Sequence, residues 1–175
     1  MAGPATKEKE LSMIISRSVI CAITLLFAIT GCASKAPVRS AYSGADSVGA
    51  VSSDMFVGNW SVRVLNPIDG EQPGVSNVSY SADGTIVMNT NSSNQGFDMA
   101  LRMTGSWQVE GDLVVQTLES IEETSGSNLG VLIKPLLAGM KDRATGSANV
   151  YEASANRIVL VSVEDGQALE YTRII

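Results

Sequence analysis

No histidine occurs among the 175 residues, which removes the commonest general base and the commonest metal ligand. Only two cysteines are present, Cys21 and Cys32, so everything beyond residue 32 lacks both a thiol and a disulfide. Basic residues are few: 12 Lys and Arg stand against 18 Asp and Glu, for a formal charge of −6. The charges are also scattered, and a chain without a clustered basic footprint is not built to bind nucleic acid. There is no Asp-x-Asp-x-Asp-Gly calcium loop, no glycine-rich phosphate loop and no Gly-x-Ser-x-Gly nucleophile elbow. Carboxylates, hydroxyls and lysines are what remains for catalysis. The one acidic cluster, Glu119, Glu122 and Glu123, reads first as a solvated loop. No catalytic residue, cofactor or metal is expected, and the chain reads as non-enzymatic.

What the chain does have begins with an apolar run. Met13-Ile14-Ile15-Ser16-Arg17 leads into Val19 to Ile29, and the uncharged stretch from Ser18 to Ser34 is 17 residues, at the lower edge of a bilayer span. A basic start, a short apolar stretch and small residues are the parts of a secretory signal. Residues 1–12 add little to it, and Met13 serves as a start as well as Met1 does. Ile29-Thr30-Gly31-Cys32 closely resembles the lipobox of bacterial lipoproteins. The resemblance implies that residues 1–31 are a signal peptide and that Cys32 becomes the acylated first residue; the alternative is a plain transmembrane anchor. Each acyl methylene buried in a bilayer contributes about 0.8 kcal/mol, so several chains hold such a protein stably at the membrane. In that family an aspartate after the cysteine typically retains the protein at the inner membrane. Ala33 stands there instead, which implies the outer membrane, periplasmic face.

Residues 32–54 follow, and Ala33 to Asp54 are rich in Ser, Ala and Gly with no apolar periodicity. Such composition buries too little surface to offset its ordering entropy, so a flexible tether is expected there and a folded domain over residues 55–175. Alternation dominates that domain. Trp60, Val62 and Val64 share one face of a first strand, and Val75 to Ser81 makes a weaker second. Asp83-Gly84 marks a hairpin into Thr85 to Asn89, with polar residues 91–96 closing that strand. From Phe97 to Val109 the apolar residues fall on odd positions, with Gly105 keeping register and marking a bend. Leu113 to Ile121 is the next strand, and three more are expected at about 146–153, 157–163 and 167–174. Between the fifth and sixth the period changes: Leu129, Leu132, Ile133, Leu136, Leu137 and Met140 fit an amphipathic helix over about 129–140. Asn128 suits its N-cap, and Pro135 kinks it or starts a second short helix. The pattern predicts an all-β fold: an antiparallel up-and-down barrel or strongly curled meander of about eight strands with one inserted helix. A two-sheet sandwich is the alternative.

Gly58-Asn59-Trp60 resembles the Gly-x-Trp that opens the first strand of lipocalins and related calycin barrels. In that family the tryptophan plugs the closed end of the barrel and a basic residue of the last strand stacks across it. The resemblance assigns those roles to Trp60 and Arg173. Residues 80–85 and 105–112 also resemble stretches of small bacterial lipocalin-like domains, so the likeness covers most of residues 56–175. In the family a helix follows the last barrel strand, whereas the helical period here falls between the fifth and sixth.

Two features carry function. Phe97, Met99, Leu101, Met103 and Trp107 share one face, joined by Val62, Tyr80 and Met88. In a roomy barrel these eight line a cavity for a small apolar or amphiphilic ligand; in a tight one they are its core. Met99 and Met103 lie roughly 13 Å apart along a strand, too far to share one copper ion. The helix is either a lid over one barrel end or ordinary core. The expected function is an envelope lipoprotein that binds such a ligand. The alternative is an interaction, scaffold or inhibitor module working through its outer surface and loops, with a protein partner that the residues do not name. Replacing Cys32 with Ser is expected to abolish metabolic incorporation of palmitate and to leave an unprocessed precursor. Normal cleavage and sorting of that variant, read by fractionation and blotting, would remove the lipoprotein reading.

Overall fold

A computed structural model describes residues 40–68, 74–94, 97–125 and 145–175, the side chains of 92–94 and 97–99 apart. Eight strands follow in order: β1 Gly58–Val64, β2 Ser76–Tyr80, β3 Thr85–Asn94, β4 Phe97–Glu110, β5 Leu113–Glu123, β6 Thr145–Ala153, β7 Arg157–Ser162 and β8 Ala168–Arg173. Each is antiparallel to the next, and β8 returns to β1, so the sheet is a closed barrel without exposed edges. The expected up-and-down barrel is therefore the fold, and the curled meander and sandwich are set aside. The amphipathic segment at about 129–140 lies outside the described residues, as do the signal residues 1–31 and Cys32.

The alternation sets the interior. On β1 Trp60, Val62 and Val64 are buried while Arg63 is exposed, and on β2 Ser76, Val78 and Tyr80 point inward. Ile86, Met88 and Thr90 continue the inner face on β3, with Leu101, Met103 and Trp107 on β4. Two boundaries differ from the expected ones. Val75 lies before β2 and is exposed, whereas Ser76 is fully buried and bonded to Thr90 at 2.9 Å. β3 runs on to Asn94 through residues expected as a turn, because ladder bonds use backbone groups that polar side chains do not remove.

β4 and β5 are the longest strands and bend where the sequence places a glycine. Their register shifts between Thr104 and Gly105, so that Thr104 opposes Ser120 and Gly105 opposes Leu118. Such a bulge raises the local twist a barrel wall needs to curl. A Cβ at Gly105 would sit inside van der Waals contact of the Thr117 carbonyl oxygen, 3.0 Å from its carbon and 3.1 Å from Leu118 Cα.

Residues 40–52, expected as part of a flexible tether, are instead seated on the barrel. Ser40 offers its carbonyl to Asn66 Nδ2 at 2.8 Å, and Ser47 N donates to the Tyr151 carbonyl at 2.9 Å. The Tyr42 ring stands edge-on to Tyr151 with centroids 5.4 Å apart, and Val48 and Val51 pack against the core. Asn66 follows β1 and Tyr151 lies in β6, so the segment passes over β8 and β7. On that side the barrel is buried on both faces: Val159 and Ala168 point outward by register yet expose nothing to solvent. A few apolar contacts, one backbone hydrogen bond and one from the Asn66 side chain thus order a stretch whose composition alone suggests none.

Gly105→Ala is expected to destabilise the barrel by about 2 kcal/mol, since a methyl group against opposing backbone has nowhere to relax. Ser106→Ala, next to it on the exposed face, is expected to stay within about 0.5 kcal/mol of the parent. Urea unfolding of the two variants checks the contrast.

Candidate functional site

At one end of the barrel, Trp60 is fully buried and Arg173 is its cross-strand partner on β8. The guanidinium carbon lies 4.1 Å from the indole centroid. Its nitrogens reach further: Nη1 donates to the Val57 carbonyl at 3.0 Å, Nη2 to Met55 at 3.2 Å, and Nε to Ala155. Trp60 Nε1 donates to the Phe56 carbonyl at 2.6 Å. A short 3-10 turn, Ser53–Met55, is thereby drawn across the barrel end, and Phe56 behind it is buried completely. Gly58 explains the first letter of the Gly-x-Trp pattern. Its φ is +137°, and a Cβ there would collide with Arg173 Nη1.

Behind that closure the described interior side chains pack closely. Phe56, Tyr80 and Trp107 form an aromatic cluster with centroids 5.0–5.9 Å apart, and Trp107 Nε1 donates to the Ser81 carbonyl at 3.1 Å. Of the eight residues proposed to line a cavity, Val62, Tyr80, Met88, Leu101, Met103 and Trp107 are all buried, with Met88 and Met103 directly opposed on β3 and β4. Phe97 and Met99 belong to β4, and their side chains are outside the described ones.

Among the described residues, a recess lies beside others that the sequence pattern did not single out. A cavity of about 20 Å³ extends from Gln116 and Tyr171 in the barrel wall, past Leu160, to Ser162, Glu164 and Asp165 at the β7–β8 turn. Gln116 Nε2 donates to Tyr80 Oη at 2.7 Å, and the Tyr171 hydroxyl belongs to the same buried group, interacting with both Tyr80 and Gln116. Burial holds both tyrosine hydroxyls neutral, with Tyr171 pushed up to about 12. At the rim, burial and the neighbouring Asp165 raise the Glu164 carboxyl above its usual range. An inward-pointing glutamine on an otherwise apolar face was the readable signal for this site.

A second polar cluster lies on the outside. Glu170 is largely buried between Arg63 and Arg157, its Oε1 2.6 Å from Arg157 Nε, and Arg157 also pairs with Glu152. The hydrogen bond from Arg63 leads the effects that hold the Glu170 carboxyl below its usual range. Every carboxylate there is matched by a guanidinium, so the cluster ties strands together and offers no spare charge to a ligand.

No protein-family model matches the chain, and no curated protein matches it. Among solved structures, a lipocalin-like protein from Bacteroides uniformis is similar at 8% identity and a TM-score of 0.41, over 69% of this chain and 99% of that one. An uncharacterised protein from Bacteroides eggerthii is similar at 14% identity and 0.43, over 68% and 99%. A redesigned β-barrel is similar at 12% and 0.36, over 70% and 95%.

Arg173→Ala is expected to cost about 2 kcal/mol, from a cation–π contact and hydrogen bonds to three carbonyls. Arg173→Lys is expected to restore less than half of it, because an ammonium cannot span the carbonyls as a planar fork does. Denaturant titration followed by tryptophan fluorescence reads both, since Trp60 reports on its own contact.

Proposed function

We propose that this chain is a non-enzymatic lipoprotein of the cell envelope, held by lipid on Cys32 at the periplasmic face of the outer membrane. Its lipocalin-like barrel acts as an interaction module through its loops and outer surface. The observation that carries this reading is how closely the described interior side chains pack. Sites for drug-sized ligands enclose about 300–1,000 Å³, whereas the cavity here offers about 20 Å³. An acyl chain entering the barrel would have to displace the Met88–Met103 pair and the aromatic cluster. Each core side chain displaced in this way forfeits about 2–5 kcal/mol of packing. The Gly58, Trp60 and Arg173 constellation supports the lipocalin-like assignment, and the lipobox pattern around Cys32 supports the anchor.

The test titrates a fluorescent fatty-acid analogue into the chain from residue 33 onward, made without lipid. No saturable quenching of tryptophan is expected, and Leu101→Arg is expected to unfold the domain, because a guanidinium has no partner in a packed core. Saturable one-to-one quenching, with Leu101→Arg folded but unable to bind, would instead support an apolar-ligand carrier.

A further inference from the structure

The segment seated across β6, β7 and β8 is held differently from the strands beneath it. Of the thirteen residues 40–52, Tyr42, Val48 and Val51 are half-buried and the other ten are exposed. One backbone bond joins it to a strand, from Ser47 N to the Tyr151 carbonyl. Among the described residues, none of its side chains makes a hydrogen bond or ion pair with the barrel. The seat itself is a bulge. Register on β6 passes from Val150, opposite Leu160, to Glu152, opposite Val159, so Tyr151 is left out of the ladder with β7. A bulged residue's groups are free for another partner. Here its carbonyl takes Ser47 N and its ring meets Tyr42. Every strand pairs with both of its neighbours without the segment, so its departure breaks no rung of the barrel.

The two ends of the segment are unequal. Just past Ser52 the chain is fixed, because Phe56 is fully buried and Arg173 holds the Met55 and Val57 carbonyls. At Ser40 the hold is one hydrogen bond from Asn66 Nδ2. Ordering thirteen residues costs backbone entropy at each of them. Against that stand three half-buried side chains and the covering of Val159 and Ala168. Segments with so few buried contacts open as units well short of global unfolding.

We propose that residues 40–52 are a releasable strap, which leaves the outer face of β7 and β8 as one unit while the barrel stays closed. Release uncovers Val159 and Ala168 and adds the strap's thirteen residues to the seven between it and Cys32. The uncovering belongs to the domain alone; the second consequence, a tether of two lengths, rests on the proposed anchoring at Cys32. Tyr42 is the latch, and Gly44 lets it close. A Cβ at residue 44 would collide with the Tyr42 ring and push it from its place against Tyr151.

Hydrogen exchange of the full chain in detergent micelles, read by NMR and corrected for intrinsic rates, tests the strap. The Ser47 amide is expected to exchange about a hundredfold or more faster than that of Leu160, buried on β7. It is also expected to exchange about tenfold slower than in a free peptide of residues 40–52. Tyr42→Ala and Gly44→Ala are each expected to speed Ser47 about fivefold and to leave Leu160 within about twofold of the parent. Equal protection of Ser47 and Leu160 in the parent overturns the proposal, since the segment would then open only with the barrel. So does a Ser47 rate equal to that of the free peptide, or one that neither variant moves. A variant that speeds Leu160 as much as Ser47 overturns it too, by making the segment part of the barrel's own stability. None of these rates involves the lipid, so the strap stands or falls apart from the Cys32 assignment, which palmitate labelling tests separately.

Discussion

The barrel depends on β1 finding β8. Residues 60–64 pair with 169–173, so the seam joins the two ends of the folded domain and must overcome the largest loop-closure entropy in it. A ladder bond contributes only about 0.5–1.5 kcal/mol net, and side chains reinforce this seam at three heights. Arg173 clasps one end over Trp60. Arg63 and Glu170, 107 residues apart in sequence, pair across the outer face. Asn66 Oδ1 accepts from Ala168 N at 2.7 Å at the other end. Each contact uses a residue of β1 or its exit and a residue of β8. Without this seam the sheet would carry two raw edges, the form in which β-sheets aggregate.

Closure also decides what the interior can be. An eight-stranded barrel is just wide enough to be filled by side chains or to hold one small ligand. Here Phe56 enters from outside the strands and completes the filling with Tyr80 and Trp107. The polar groups of the inner wall join this cluster, since Gln116 on β5 donates to Tyr80 and the Tyr171 ring on β8 lies 6.1 Å from that of Tyr80, while Ser76 and Thr90 satisfy one another between β2 and β3.

The sequence was most informative where one face is wet. β1 and β4 alternate cleanly, and the glycine read as a bend in β4 sits at the register shift. The hairpin glycines Gly84, Gly111 and Gly166 all adopt positive φ, Gly84 in the turn expected of it. β7 and β8 alternate poorly because the segment from residue 40 covers their outer face, and burial on both sides erases the period. That segment escaped notice for the converse reason: it is held by backbone carbonyls and ring edges, which leave no trace in hydropathy. Phe56 lay just ahead of the first alternating residue, so no pattern could assign it to the interior. Gln116 was visible as a polar residue within a strand, but its facing partner Tyr80 is 36 residues away, a pairing only the sheet register reveals.

The seating of residues 40–52 sets how far the barrel stands from whatever holds its N-terminus. Ser40 is pinned beside Asn66, whose Nδ2 also donates to the Gly166 carbonyl in the β7–β8 turn. Only seven residues, 33–39, separate Ser40 from Cys32, a distance of eight Cα-to-Cα steps. Fully extended they reach at most about 28 Å, roughly the thickness of a bilayer's hydrocarbon core. A barrel leashed by twenty residues of free chain would tumble above a membrane and present every side in turn. Under the proposed anchoring at Cys32, a link of seven residues leaving from the β7–β8 end would keep that end toward the lipid surface and turn the Arg173 end to the aqueous space.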